Sequence, residues 1–87
     1  MNPKLNNNQN NIQLEQPFDD LMANLFVMVT DYSLSQRQSI INPIVERLNT
    51  LCRHSEVEHY PEQLKVLGKM RQLWRTRLFQ LEHARSR

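Results

Sequence analysis

Glycine and cysteine are almost missing from this chain, each occurring once among its 87 residues. A lone glycine, Gly68, excludes a P-loop, a dinucleotide-binding turn and a glycine-rich β-sandwich, all of which need glycine at tight turns or against phosphate. A lone cysteine, Cys52, leaves no internal disulfide and no four-thiolate zinc set. Long apolar runs are absent too. The most apolar stretch, 21–29, is interrupted by Asn24, and roughly 20 apolar residues are needed to span a bilayer. The start, MNPKLNNNQNNIQLEQP, has no apolar stretch of roughly 7–15 residues to serve as a secretory signal. A cytoplasmic protein without membrane partners is the expectation. At this length an enzyme with separate cofactor and substrate lobes is excluded as well.

Asparagine is what the start of the chain has in quantity, with five Asn and one Gln between Asn6 and Asn11. Such side chains bury little apolar area, which cannot offset a backbone ordering cost of about 1–2 kcal/mol per residue. Residues 1–16 are therefore expected to be a disordered tail, with Ile12 and Leu14 as its only anchoring candidates. Residues 17–87 form the single domain.

That domain reads as all-α, with three helices at 17–31, 36–54 and 61–83. In the first, Pro17 and the acidic pair Asp19 and Asp20 suit a helix N-terminus. Phe18, Leu21, Met22, Leu25, Phe26, Val29 and Tyr32 then recur at intervals of three and four. The second opens at Ser33 or Ser35 with a glutamine three residues on, the pattern of a capping box. Its apolar set is Ile40, Ile41, Ile44, Val45, Leu48, Leu51 and Cys52. Pro43 interrupts it, so the segment is either one kinked helix or two, the later one starting with Asn42 as N-cap. The stripe keeps its phase across Pro43, which favours one kinked helix. Tyr60-Pro61 opens the third segment. Its stripe is Leu64, Leu67, Met70, Trp74, Leu78 and Leu81, with Val66 and Leu73 along one edge. That breadth predicts more than one neighbour.

Without the leader, 71 residues remain. A core of that size rarely supplies more than about 3–5 kcal/mol unaided. A homodimer that completes the core is the economical expectation.

Charge divides sharply along the chain: 1–63 carries −4 and 64–87 carries +6. A basic terminal helix on an acidic body points either to nucleic acid or to a protein interface rimmed by cations. Lys65, Lys69, Arg71, Arg75, Arg85 and Arg87 are the residues a nucleic-acid contact would use. In helical projection these cations ring the apolar stripe rather than gathering on one face, so the protein interface is favoured. Its candidates are Met70, Leu73, Trp74, Arg77, Leu78 and Leu81. A helix-turn-helix is disfavoured, because Gly68 lies inside a helix and the segment after the short turn at 32–35 carries little positive charge.

Chemistry-bearing residues are few. Cys52, His54 and His59 could supply three metal ligands only if the loop folded back, since positions two apart on a helix diverge. Cys52 lacks a convergent base and oxyanion donor for nucleophilic work. Glu56 and Glu58 read as solvated charge. The expectation is a non-enzymatic interaction or regulatory module without cofactor, metal or small-molecule substrate. It would pair with itself and with a protein; the alternative is a nucleic-acid-binding regulator.

Overall fold

A computed structural model describes residues 15–85. Three α-helices account for most of them: α1, Phe18–Ser35; α2, Ile41–Cys52; and α3, Pro61–Arg85. Single 3-10 turns, Gln38–Ile40 and Val57–His59, sit in the two connections. There is no strand among the described residues, and no helix there is long and apolar enough to cross a membrane.

The all-α, three-helix expectation is met, with two boundary corrections. α1 continues four residues past its expected end at Asp31. Ser33 and Ser35 do not cap the next helix; their hydroxyls donate back to the carbonyls of Thr30 and Asp31 at 2.7 and 2.9 Å. The helix stops at Gln36, which adopts a left-handed φ of 55° and donates its N–H to the Tyr32 carbonyl at 2.7 Å. Asp31 then accepts from Arg37 Nη2 at 2.7 Å, while Ser35 Oγ accepts the Arg37 N–H at 3.2 Å. The turn is thus held by side chains rather than by glycine.

The second correction concerns Pro43. A single kinked helix over 36–54 does not form, and Asn42 is not the N-cap. The 3-10 turn leads straight into α2, placing Pro43 third in the new helix. The first four N–H groups of a helix have no intrahelical acceptor, so proline removes nothing there. The 3-10 turn winds in the same sense as the α-helix, which is why the apolar stripe crosses the break with little loss of phase.

α2 is the centre of the fold. Ile41, Ile44, Val45, Leu48 and Leu51 are all buried, each worth about 1.5–3 kcal/mol for full burial. α2 packs against α1 on one side and α3 on the other, and Arg47 Nε ties it to Asn24 Oδ1 of α1 at 2.8 Å. α1 and α3 run side by side in the same direction. Phe18 stacks on Tyr60 at 4.9 Å between ring centres, and Tyr32 meets Trp74 edge-on at 5.2 Å. Phe18 and Tyr32 are 14 residues apart, as are Tyr60 and Trp74, so the two segments stay in step over that distance. α1 ends at Ser35, whereas α3 continues for roughly 12 Å beyond the level of Arg77 at 1.5 Å per residue.

Of the expected tail over 1–16, only Glu15 and Gln16 are described. Residues 1–14, including Ile12 and Leu14, lie outside the described residues, but Glu15 and Gln16 are engaged. Glu15 accepts from the Ser55 N–H at 2.9 Å and from Ser55 Oγ at 2.6 Å. Gln16 gives its carbonyl to His54 Nε2.

Candidate functional site

Three places in this fold can be weighed as functional: the histidine hook at the α2–α3 connection, the flank of α3 that faces α1, and the opposite flank of α3.

His54 is buried, with its ring edge-on to Phe18 at 5.5 Å. Its Nδ1 accepts the Glu56 N–H at 3.0 Å and its Nε2 donates to the Gln16 carbonyl. That pattern puts a proton on Nε2 and leaves Nδ1 as an acceptor. Both nitrogens are occupied in joining the chain before α1 to the loop after α2. The ring therefore acts as a staple, and neither nitrogen is turned to Cys52 as a base. Glu15 Oε2 lies 3.8 Å from Nδ1. The two hydrogen bonds from Ser55 hold the Glu15 carboxyl below the usual glutamate range. Cys52 is half-buried with a free thiol, and His59 is exposed. No group of three or more His, Cys, Asp or Glu among the described residues could hold a metal ion.

The flank of α3 facing α1 is apolar and open. Between the helices runs a groove of about 230 Å³, walled by Met22, Leu25, Phe26, Val66, Leu67 and Met70. Glu62 and Gln63 stand at one end of it, and an adjoining hollow brings Asp19 to that same end. About two turns past Met70 on α3, beyond the groove itself, Arg77 Nη2 donates to the Tyr32 hydroxyl at 3.4 Å. Phe26, expected on the core stripe of α1, is 56% exposed here, and Val66 and Leu73 are 57% and 71% exposed. The sequence carries a signal for this arrangement. Phe26 and Met22 lie at the margin of the α1 stripe, and Val66 and Leu73 lie at the margin of the α3 stripe.

Of the six interface candidates, Met70, Trp74, Leu78 and Leu81 are half-buried, and Leu73 and Arg77 are exposed. Met70 and Trp74 pack against the core. Leu78 and Leu81 stand on the part of α3 that outruns α1. The structure thus divides the six between an inner group under α1 and an outer group on the overhang.

The opposite flank of α3 gathers Arg71, Arg75, Gln72, Thr76 and Phe79 around Gly68 in a shallow hollow. Apart from the backbone of α3 itself and the two residues flanking Gly68, nothing lies within 4 Å of the place a Gly68 Cβ would take. Phe79, which is out of phase with the stripe and was not singled out from the sequence, is 58% exposed and tilts against His83 at 4.2 Å. Lys65, Lys69, Arg71 and Arg75 join no ion pair among the described residues. Arg85 is the last residue of α3, and Arg87 lies outside the described residues. No protein family, curated protein or solved structure matches the chain.

Proposed function

We propose that this chain is a non-enzymatic interaction module that docks protein surfaces on α3 and forms a homodimer. The observation that carries the reading is the under-covered apolar surface of α3. Leu73 is exposed, Trp74, Leu78 and Leu81 are only half-buried, and the helix outruns its neighbour. Exposed apolar area of this kind on a small domain, edged by Arg77, matches the composition of protein interfaces. The overhang bearing Leu78 and Leu81 is the seat for a protein partner.

The test is affinity capture from a native lysate at moderate salt, with and without nuclease. Capture is expected to survive nuclease and to be lost in Leu78→Asp/Leu81→Asp, while Lys65→Gln/Lys69→Gln retains it. Capture that disappears with nuclease would refute the reading.

A second reading, nucleic-acid binding, draws support from Arg71 and Arg75 sharing an open flank with Phe79. It expects affinity for duplex DNA to fall steeply with salt, at a log–log slope of about −0.9 per phosphate contact. Arg71→Gln/Arg75→Gln would flatten that slope.

A further inference from the structure

The groove between α1 and α3 has acid at one end, Arg77 follows about two turns beyond the other on the same flank of α3, and the positions along α3 are symmetric about one point. Glu62 and Arg77 are equidistant from the midpoint between Lys69 and Met70, and so are Val66 and Leu73. At 100° per residue these four side chains fall within about 60° of one another around α3, with Met70 beside them. Glu62 and Arg77 are about 22 Å apart along the axis. A surface with this layout complements its own copy when the two helices run antiparallel.

We infer that the α1–α3 groove is the seat of a second copy of this chain, placed by a two-fold axis that crosses α3 between Lys69 and Met70; this deepens the interaction reading above and rests on it. Val66 packs on Leu73 of the partner subunit, and Glu62 meets Arg77 of the partner subunit. By the symmetry each contact occurs twice, the signature of an isologous interface. Phe26 and Met22 widen the apolar centre from the α1 side, and Asp19 adds to the acidic end. Charge at the rim fixes direction: a parallel arrangement would set Glu62 against its own copy and Arg77 against its own copy. The overhang carrying Leu78 and Leu81 stays outside this seat for the other partner.

The test is the mass of the full chain by light scattering and sedimentation equilibrium from about 1 to 200 μM. The unaltered chain is expected to be a dimer. Leu73→Glu should be monomeric with an unchanged helical spectrum, because Leu73 is 71% exposed in the single chain. Glu62→Arg and Arg77→Glu should each weaken the dimer about tenfold, since each sets like charges opposite one another twice. An equimolar mixture of those two variants should recover the dimer, because both mixed contacts again join opposite charges. That recovery cannot come from a change in the stability of either chain alone. A monomer at every concentration overturns the inference, as does a dimer indifferent to Leu73→Glu and to both charge reversals. A monomer that still captures a protein through Leu78 and Leu81 overturns the two-fold seat and leaves the interaction reading standing. A dimer that obeys the charge rules and captures nothing does the reverse.

Discussion

The middle and last helices treat similar side chains in opposite ways. α2 buries five aliphatic residues in a length of 12, whereas α3, at 25 residues, fully buries only Leu67 among those described. The reason is position, not composition. α2 lies between two helices and is covered from both sides, so nearly every apolar residue it carries meets an apolar neighbour within the chain. α3 packs closely on α2 but meets α1 only loosely, across an open groove and at Tyr32, and Val66, Leu73 and Phe79 are left in solvent. Folding energy is therefore concentrated in α2 and its contacts, while the surface free for a partner is concentrated in α3. Substitutions should separate the two properties.

The largest effect is expected from Leu48→Ala, at a fully buried site in α2. Deleting a buried leucine side chain costs about 2–5 kcal/mol through lost transfer energy and the cavity left behind. In a core worth about 3–5 kcal/mol, that leaves little or no folded protein at 37 °C. Leu73→Ala, on the exposed flank of α3, should change stability by no more than about 0.5 kcal/mol. Urea unfolding followed by circular dichroism compares the two directly. Equal losses would abolish the division between a folding helix and a binding helix.

His54→Ala sharpens the comparison from the α2 side. It leaves the Glu56 N–H and the Gln16 carbonyl without their partner and removes the edge contact with Phe18. Stranding part-buried polar groups costs about 1–3 kcal/mol, so a midpoint shift of that size is expected in the same experiment. Self-association of the folded fraction should be unaltered, because the hook is remote from Leu73. A variant as stable as the parent would mean that water replaces both bonds at no cost.

Much of this arrangement is legible in the sequence, and the parts that are not share a cause. The stripe of α2 is readable because a helix covered on two sides needs apolar residues at 3.6-residue spacing, and Ile41, Ile44, Val45, Leu48 and Leu51 supply them. Periodicity gives the face of a residue but not the reach of its neighbour. Phe26 and Val66 therefore read as stripe members although no helix lies over them. The end of α1 is hidden because a glutamine takes the left-handed position that glycine ordinarily marks. The hook is hidden because its bonds join residues 38 to 40 positions apart, and no local pattern announces them. Of the candidate surface, Leu73 and Arg77 are legible as the rim of a broad stripe. Phe79 is not, since its phase sets it among the cations.

Gln36→Gly should have a smaller effect and the opposite sign. A left-handed φ of 55° strains any residue with a Cβ by about 1–2 kcal/mol. Glycine takes that conformation freely but loses more backbone entropy on folding, about 0.5–1 kcal/mol. The net expectation is a gain of about 0.5–1 kcal/mol in urea unfolding. A loss would show that the Gln36 side chain contributes more than its backbone strain costs.

The smallest effect belongs to Glu15 and depends on pH. Its carboxylate accepts two hydrogen bonds from Ser55, and these hold its pKa down in the folded chain. In the unfolded chain the group reverts to the ordinary glutamate value of about 4.3. A lowered folded pKa means that the unfolded chain binds the proton more readily. The stabilisation is thus complete above the unfolded value and is lost as the pH falls through the folded one. Glu15→Gln should therefore lie slightly below the parent in thermal stability at pH 7, and the gap should close as the pH is lowered beneath about 4. Thermal melts at intervals between pH 7 and pH 3 give the size of the gap at each pH. Because the carboxylate is exposed, solvent screening keeps the difference small. The Ser55 amide resonance offers a second readout, since it should move with the same titration in the parent and stay fixed in the variant. A gap that persists unchanged to pH 3 would assign the effect to the shape of the side chain and remove the carboxylate from the hook.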